Sequence, residues 1–522
     1  MKCCEDVVFL PTANKKKSNL MITFLTALLL LVLGYFIYGA FVERIFGANP
    51  DRATPAVTKA DGVDFMPLPT WRIYLIQFLN IAGLGPIFGA IMGVMYGPAA
   101  YLWIVFGTIF GGAVHDYLSG MLSLRRGGAS LPEIIGDELG AKVKMAMRIV
   151  TLFLLILVGA VFVINPAEII AGIVTQYSVD ASGAMSGWLE AMTSVIPLRW
   201  WCVALVFVYY LLATLLPINK IIGKFYPIFG FALLFMAVGI LVVLLGRLDT
   251  LPELTQGMGN HHPQGFPIFP MMFISVACGA ISGFHATQSP LMARCLKNER
   301  LARPVFYGAM VTEGILALIW AAAAVSFTGS YEGVSEYLAA NGNKPLVLVN
   351  EVSITWLGAF GGFLALLGVV FAPITSGDTA LRSARLIAAD FLRIDQSSLR
   401  NRLIVTLPIF ALSAFIMMID FNVLWRYFSW SNQALSVFTF WALTLFLARE
   451  RKGVSYLMTL IPALFMTVVC TTYIMYAPEG LSLPYHVSLA IGVVAMIIFV
   501  ALFARYRRNV LNGKIERRGD EA

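Results

Sequence analysis

The feature that most constrains the fold of this chain is a series of apolar stretches that recurs from Leu20 to Phe503. Each stretch is about 20 residues long, which is enough for a helix to cross the ~30 Å of hydrocarbon in a bilayer. With 59% hydrophobic and only 13% charged residues, the 522-residue chain is too apolar for a soluble globular protein. Short alternating strands are absent, so helices must satisfy the backbone hydrogen bonds in lipid.

The predicted fold class is therefore an all-α polytopic membrane protein with about thirteen transmembrane helices. Membrane lipid is its predicted surroundings and partner. We place the helices at residues 20–42, 73–97, 100–122, 147–177, 197–216, 222–246, 270–292, 304–327, 352–376, 403–419, 422–447, 455–476 and 484–504.

Basic residues cluster on alternate loops between these spans. The main clusters lie within 125–144, 294–303, 382–402 and 505–518. Because Lys and Arg are retained on the cytoplasmic side, these loops and the C-terminus are predicted to face the cytoplasm across a bacterial inner membrane. Thirteen spans then place the N-terminus outside, against the pull of the lysines at 15–17. The net charge of +8 is attributed to this retention, and no nucleic-acid partner is predicted.

The spans divide into two units of similar length. Residues 71–246 and 270–448 each hold five predicted spans, and an odd number gives the two units opposite orientations in the membrane, as in many transporters. Residues 1–70 add a tail, an extra span and a loop, whereas 247–269 form an extracytoplasmic connection. Residues 449–522 add two spans and a basic tail.

Helix breakers occur at matching depth in the first span of each unit. Asn80 is followed by Gly83 and by Gly85 next to Pro86, whereas Gly279, Ser282, Gly283 and His285 lie in the corresponding span of the second unit. Such breaks expose backbone groups that only protein, water or ligand can satisfy, so they predict a binding site. Half-helix N-termini favour a carboxylate, and freed carbonyls favour a cation. Alternatively, Gly85 belongs to a glycine stripe, with spacing four, for close helix packing.

Three groups of polar residues are candidates for ion coupling. His285 is either a structural histidine or a group that relays protons or meets a carboxylate. His115 and Asp116 are proton-relay candidates, but neighbours on a helix point about 100° apart, so we expect them not to pair and favour packing or capping. Further along the chain, Thr375, Ser376 and Asp378 form a dense set of oxygen ligands for a cation; alternatively, Asp378 pairs with Arg382.

Other activities find little support in the sequence. The six cysteines form no metal or disulfide pattern, and no Gly-x4-Gly-Lys-Ser/Thr phosphate loop occurs, so we predict no cofactor and a proton or sodium gradient as the driving force. We find no nucleophile, metal cluster or paired carboxylates that would indicate an enzyme. A channel or a membrane-embedded nutrient sensor is the alternative to a transporter.

Several dispersed segments resemble the carbon starvation (CstA) family of transporters across roughly residues 35 to 450. They are the segments that begin at Asn49 and Asp61, Ile81-Ala-Gly-Leu-Gly-Pro86, Gly112-Ala-Val-His-Asp116, Ala277-Cys-Gly-Ala-Ile-Ser-Gly-Phe-His285, and Ala384-Arg385. The resemblance implies a leucine-transporter-like core of five plus five inverted helices, and uptake of pyruvate or small peptides, commonly with protons. It also implies that the segments 80–86 and 279–285 line the substrate site, and that 375–378 contributes to a coupling-ion site.

Overall fold

A computed structural model describes residues 22–178, 187–216, 222–247, 251, 253–254, 258–419, 421–451 and 453–515. Every regular element within these residues is helical. The α-helices of the first half are α1 (Ile22–Leu33), α2 (Gly39–Phe46), α3 (Pro55–Thr58), α4 (Thr70–Ile81), α5 (Leu84–Gly93), α6 (Ala99–Phe106), α7 (Ala113–Arg125), α8 (Leu131–Leu139), α9 (Ala141–Ser178), α10 (Gly187–Thr193), α11 (Leu198–Leu215) and α12 (Ile222–Leu245). The second half contributes α13 (Ile268–Ser275), α14 (Gly283–Ala293), α15 (Gly308–Thr328), α16 (Tyr331–Ala340), α17 (Pro345–Leu392), α18 (Leu399–Ile416), α19 (Phe421–Glu450), α20 (Leu457–Tyr476) and α21 (Tyr485–Leu511).

The described residues contain ten helices that are long and apolar enough to cross a membrane, and an eleventh span results when the bent pair α4 and α5 is counted as one. This confirms the prediction of an all-α, multi-pass membrane protein. The predicted spans 100–122 and 270–292 correspond to α6 with α7 and to α13 with α14, which are not among the ten. The count of thirteen stays a prediction.

Burial separates the helices that face lipid from those that form the centre. Along α21, large apolar side chains such as Val494 and Ile497 are exposed, as expected where hydrocarbon is the solvent. The alanine-rich α15 is instead buried almost all round, because small side chains let neighbouring helices approach closely. Helices α4, α5 and α7 pack against α15, and α14 packs against α4 and α7, so the interrupted segments lie in the middle of the protein.

The long helix α17 connects the centre to the periphery. It is kinked at Gly358, where φ is 70°, and contains Pro373 further along. Because of this length it packs against α9, α11, α12 and α4. It therefore carries Thr375, Ser376 and Asp378 to the side of the first interrupted helix.

Candidate functional site: two interrupted helices and a buried acid–histidine cluster

The first predicted break is present between α4 and α5. Helix α4 ends at Ile81, α5 begins at Leu84, and the two axes are bent by 47°. Gly83 has φ −71° and ψ −148°, outside the helical region. The break has a local cause, because the ring of Pro86 would clash with the carbonyl of the residue four positions earlier, Ala82, in a continuous helix.

The second predicted break is wider. Helix α13 ends at Ser275 and α14 begins at Gly283, which leaves the segment 276–282 without regular structure in the middle of a membrane-embedded chain. The Ala277 carbonyl accepts from the Ile281 N–H within this segment, and the main-chain groups that lack such a local partner need one from elsewhere. Thr108 provides one of them, since its hydroxyl donates to the carbonyl of Gly279 over 3.0 Å.

Helix α19 satisfies much of the second break. The Asn432 amide oxygen accepts hydrogen bonds from the Phe284 backbone N–H (2.6 Å) and the Ser282 hydroxyl (3.1 Å). The Gln433 side chain donates to the carbonyl of Ile281 over 2.7 Å. The N-terminus of α14 is thus capped by protein and is not free for a carboxylate. The N-terminus of α5 has no side-chain cap, so one of the two predicted half-helix anion sites remains.

The glycines at the breaks allow the two interrupted helices to touch. A Cβ built on Gly85 would lie 2.4 Å from the Cys278 side chain, and one on Gly279 would lie 2.8 Å from the Ala317 Cβ. On Gly283 it would lie 2.3 Å from the Asn432 carbonyl oxygen. Gly85 therefore lies at a packing contact, as the glycine-stripe alternative predicts.

Four titratable side chains form a cluster beside the second break, which we call the acid–histidine cluster: His115, Asp116, His285 and Glu313. His285, in the first turn of α14, has Nδ1 3.5 Å from Asp116 Oδ2 on α7 and 3.5 Å from Glu313 Oε2 on α15. His115 Nδ1 lies 3.0 Å from Asp116 Oδ1. All four residues are 0% exposed. The structure thus brings together four side chains from three helices, α7, α14 and α15.

The expectation that His115 and Asp116 do not pair is wrong. Both side chains are fully buried, so neither can turn to water, and the rotation about their side-chain bonds closes the angle that separates neighbouring positions on a helix. In the absence of solvent, a hydrogen bond between adjacent residues is preferable to two unsatisfied groups.

Unpartnered polar atoms accumulate around the breaks. Within the described residues, no hydrogen-bond partner is present for either side-chain polar atom of Asn80, for either ring nitrogen of His285 or for either carboxyl oxygen of Glu313. Buried polar groups are nearly always hydrogen-bonded, so such a concentration indicates a place for water, ions or substrate. Asn80 lies in the last turn of α4, directly before the first break.

The predicted cation ligands on α17 meet the first interrupted helix. The hydroxyls of Thr375 and Ser376 lie 3.2 and 3.1 Å from the carbonyl of Leu79, and each also lies within hydrogen-bond distance of the Ala372 carbonyl on α17 itself. A Cβ on Gly83 would lie 3.0 Å from the Ser376 hydroxyl. Asp378 lies further along the helix and accepts a hydrogen bond from Tyr226.

Arg382 does not provide the expected partner for Asp378, because its charge is directed elsewhere. Its guanidinium contacts Asp64 at 2.7 Å, and Arg385 contacts the other Asp64 oxygen at 2.9 Å. Arg382 also donates to the Leu216 carbonyl over 2.6 Å. Burial alone would raise the pKa of Asp64, but the charges of Arg385 and Arg382 outweigh it and hold the pKa well below its usual value. These bonds tie the loop that precedes α4 to α17 and to the end of α11, at the end of the bundle at which α4 begins.

At the opposite end a cavity of about 930 Å³ opens to the surface. It reaches inward to Ser275, the residue at which α13 ends. Its mouth carries charged and aromatic side chains from several elements, among them His261, Glu332, Arg426 and Tyr473. This cavity therefore approaches the second break from the end opposite to the Asp64 ion pairs.

Sequence reasoning missed several of these residues. Glu313 is a single carboxylate within an otherwise apolar span, which is itself a signal of a functional residue. Asn432 and Gln433 also interrupt an apolar span, but nothing local shows that they satisfy the second break, about 150 positions earlier. Asp64 and Arg385 lie in segments that carry the family resemblance, and their contact joins those segments.

The fold and the site define a multi-pass membrane protein built around two interrupted helices and a buried polar centre. The family described as carbon starvation protein CstA matches residues 19–176 and 163–355, and the chain belongs to this family.

Three relatives show how similar this chain is to other proteins. An uncharacterised membrane protein of Haemophilus influenzae is 44% identical over 61% of this chain and 95% of its own length. The peptide transporter CstA of Bacillus subtilis is 28% identical over 58% of each chain. The pyruvate/proton symporter BtsT of Escherichia coli is 28% identical over 55% of this chain and 46% of its own length. The chain thus spans about half the length of these two transporters.

Proposed function

We propose that this chain is a secondary active transporter, an ion-coupled symporter that imports a small carboxylate such as pyruvate, or small peptides, by alternating access. The proposal rests on the two interrupted helices packed against each other, with fully buried polar groups beside them that have no partner in the described part of the chain. Interrupted helices of this kind surround substrate and ion sites in many transporters. The names of the two transporter relatives support the same activity.

The substrate carboxylate is proposed to bind at the uncapped N-terminus of α5. The positive end of the helix favours an anion. Asn80, in the last turn of α4 on the other side of the first break, offers amide donors and an acceptor. Gly83, the residue before the first turn of α5, packs against the Ser376 hydroxyl, while Ser282 and Gly283 hold the facing segment against Asn432. The α14 N-terminus is already capped, which leaves one carboxylate site.

The coupling ion is a proton or sodium. The Thr375 and Ser376 hydroxyls together with the Leu79 carbonyl offer three oxygens for sodium, the ligand type that a hard cation prefers. The acid–histidine cluster of Asp116 and its neighbours offers a site for a proton instead.

The topology that belongs to this function is a leucine-transporter-like core of five plus five inverted helices within thirteen spans, with units at 71–246 and 270–448. The N-terminus is outside and the C-terminus is in the cytoplasm of the bacterial inner membrane. On this topology the cavity faces outward and the Asp64 ion pairs close the cytoplasmic side, as alternating access requires of one of its two states. A channel is less favoured, because these ion pairs interrupt any continuous pore.

The experiment that tests the proposal is uptake of radiolabelled pyruvate and of a labelled dipeptide by proteoliposomes. Each substrate is offered under an imposed inward proton gradient, an inward sodium gradient, and no gradient, with protein-free liposomes as the control. We expect one substrate to accumulate above its external concentration under one gradient. Equal, gradient-independent entry of both substrates would instead indicate a channel, and no entry would refute transport of these substrates.

A further inference from the structure

Glu313 occupies an unusual place in the molecule. It lies in the first half of α15, among apolar and small residues, and is 0% exposed. Its ion-pair contact in the described part of the chain is with the His285 ring, at 3.5 Å, and no lysine or arginine pairs with it there. A carboxyl group in such a place is costly to keep ionised, so a buried one without a cationic partner favours the protonated form.

Asp116 faces the same imidazole from the opposite helix. Its Oδ2 lies 3.5 Å from His285 Nδ1 and has no hydrogen-bond partner within the described residues, while Oδ1 contacts His115. With both carboxyl groups ionised and the imidazoles neutral, the cluster would hold two negative charges away from water. Binding of protons to the cluster neutralises these charges. His285 lies between the two carboxyl groups.

We propose that Asp116, His285 and Glu313 together form the binding site of the transported proton. This inference rests on the proposed function and deepens it, because it selects the proton as coupling ion and names its ligands. Among the described residues, the other titratable groups that face the cluster are His115 on α7 and the Cys278 thiol in the second break. The proton moves between nitrogen and oxygen with no bond made or broken beyond N–H and O–H.

The position of His285 explains how proton binding is coupled to transport. The residue lies in the first turn of α14, directly after the segment 276–282, so a tilt of α14 changes its distance to Glu313 on α15 and to Asp116 on α7. The present 3.5 Å separations are longer than a strong hydrogen bond, and a shift of less than 1 Å closes either contact. Closing a contact retains the proton, and separating the helices releases it.

The test uses full-length protein in proteoliposomes with pyruvate and a dipeptide as probes. The variant is Glu313→Gln, which keeps the shape of the side chain but cannot exchange a proton. Glu190→Gln, at an exposed position on α10, is the matched control. Two quantities are measured: counterflow of labelled substrate between equal pools, which needs no net proton movement, and acidification of the vesicle interior reported by a trapped pH-sensitive dye.

We expect wild-type protein and the control to acidify the interior when substrate is added outside. Glu313→Gln is expected to lose about tenfold or more of this acidification and of the proton-driven accumulation, while counterflow continues. Normal acidification by Glu313→Gln would overturn the proton site. Wild-type uptake that is driven by sodium without acidification would also overturn it but would leave the proposed function intact, whereas a wild-type protein that moves neither probe would refute both.

A second measurement does not depend on whether the variant folds. Infrared difference spectra of wild-type protein in lipid, with and without pyruvate or dipeptide, are expected to show a change in the band of a protonated carboxyl group that shifts in deuterated water. Asp116→Asn is expected to alter this band without abolishing it, since Glu313 remains. A wild-type spectrum with no carboxyl change on binding of a transported probe would overturn the proposal.

Discussion

Asn in place of Asp64 tests the buried ion pairs at the end of the bundle at which α4 begins. Asp64→Asn removes the charge that neutralises two buried guanidinium groups, those of Arg382 and Arg385, whose side chains are 1% and 0% exposed. Breaking a buried ion pair by removing one partner costs about 3–5 kcal/mol. The arginines keep the Leu216 carbonyl and the Gln396 side chain as acceptors, so we expect the lower end, about 3 kcal/mol.

The assay is thermal unfolding of purified protein in detergent, followed with a thiol-reactive dye. At about 2 °C per kcal/mol, the variant is expected to unfold roughly 6 °C below wild type. Asp395→Asn is the matched control, because Asp395 is exposed and bonds locally to Ser397, and it is expected to change stability by less than about 0.5 kcal/mol. An unchanged unfolding temperature for Asp64→Asn at neutral pH would refute the reasoning.

The difference in stability between wild type and Asp64→Asn depends on pH in a way that follows from the lowered pKa of Asp64. Because the arginines depress this pKa in the folded state, the ion pair contributes stability above the pKa of the unfolded chain, about 4, and loses it as the pH falls through the folded value. The gap between wild type and Asp64→Asn is therefore constant from about pH 8 to about pH 5 and narrows only in stronger acid. A gap that narrows near neutral pH would point to another titrating group.

Three further substitutions probe the two breaks. Gly283→Leu is expected to abolish uptake, because a Cβ there would lie 2.3 Å from the Asn432 carbonyl oxygen, whereas Gly172→Ala, with nothing within 4 Å, should transport normally. Asn432→Ala leaves the Phe284 N–H and the Ser282 hydroxyl without their acceptor and should lower stability by about 1–3 kcal/mol in the same unfolding assay. Ser376→Ala should keep proton-driven uptake within about threefold of wild type; a larger loss that sodium restores would favour a sodium site beside Leu79.

The breaks were accessible to sequence reasoning because their causes are local. Pro86 and the glycines around it act on their own helix, so their effect does not depend on the rest of the fold. The partners of the freed backbone groups were not accessible, since Asn432 reaches Phe284 across 148 positions and Arg385 reaches Asp64 across 321. Local patterns carry no record of such distant contacts.

The acid–histidine cluster is predictable from the sequence only in part: its residues can be identified, but their contacts cannot. His115, Asp116 and His285 are ionisable residues in apolar surroundings, which the sequence alone reveals, and the lone carboxylate of Glu313 carries the same signal. That the four side chains meet depends on how α7, α14 and α15 pack, which the sequence of each helix alone does not determine. His115 and Asp116 meet because rotation about their side-chain bonds turns both groups away from their Cα–Cβ directions, and helix periodicity does not specify this rotation.

The central claim, a substrate site at the first break that is reached from each side in turn, is tested most directly by the accessibility of position 80. Asn80→Cys is made in a protein whose six native cysteines are replaced, and a membrane-impermeant thiol reagent is added to either side of sealed vesicles. We expect labelling from both sides, slowed from both by the transported substrate. Labelling from neither side, or at a rate that the substrate does not change, would contradict this claim.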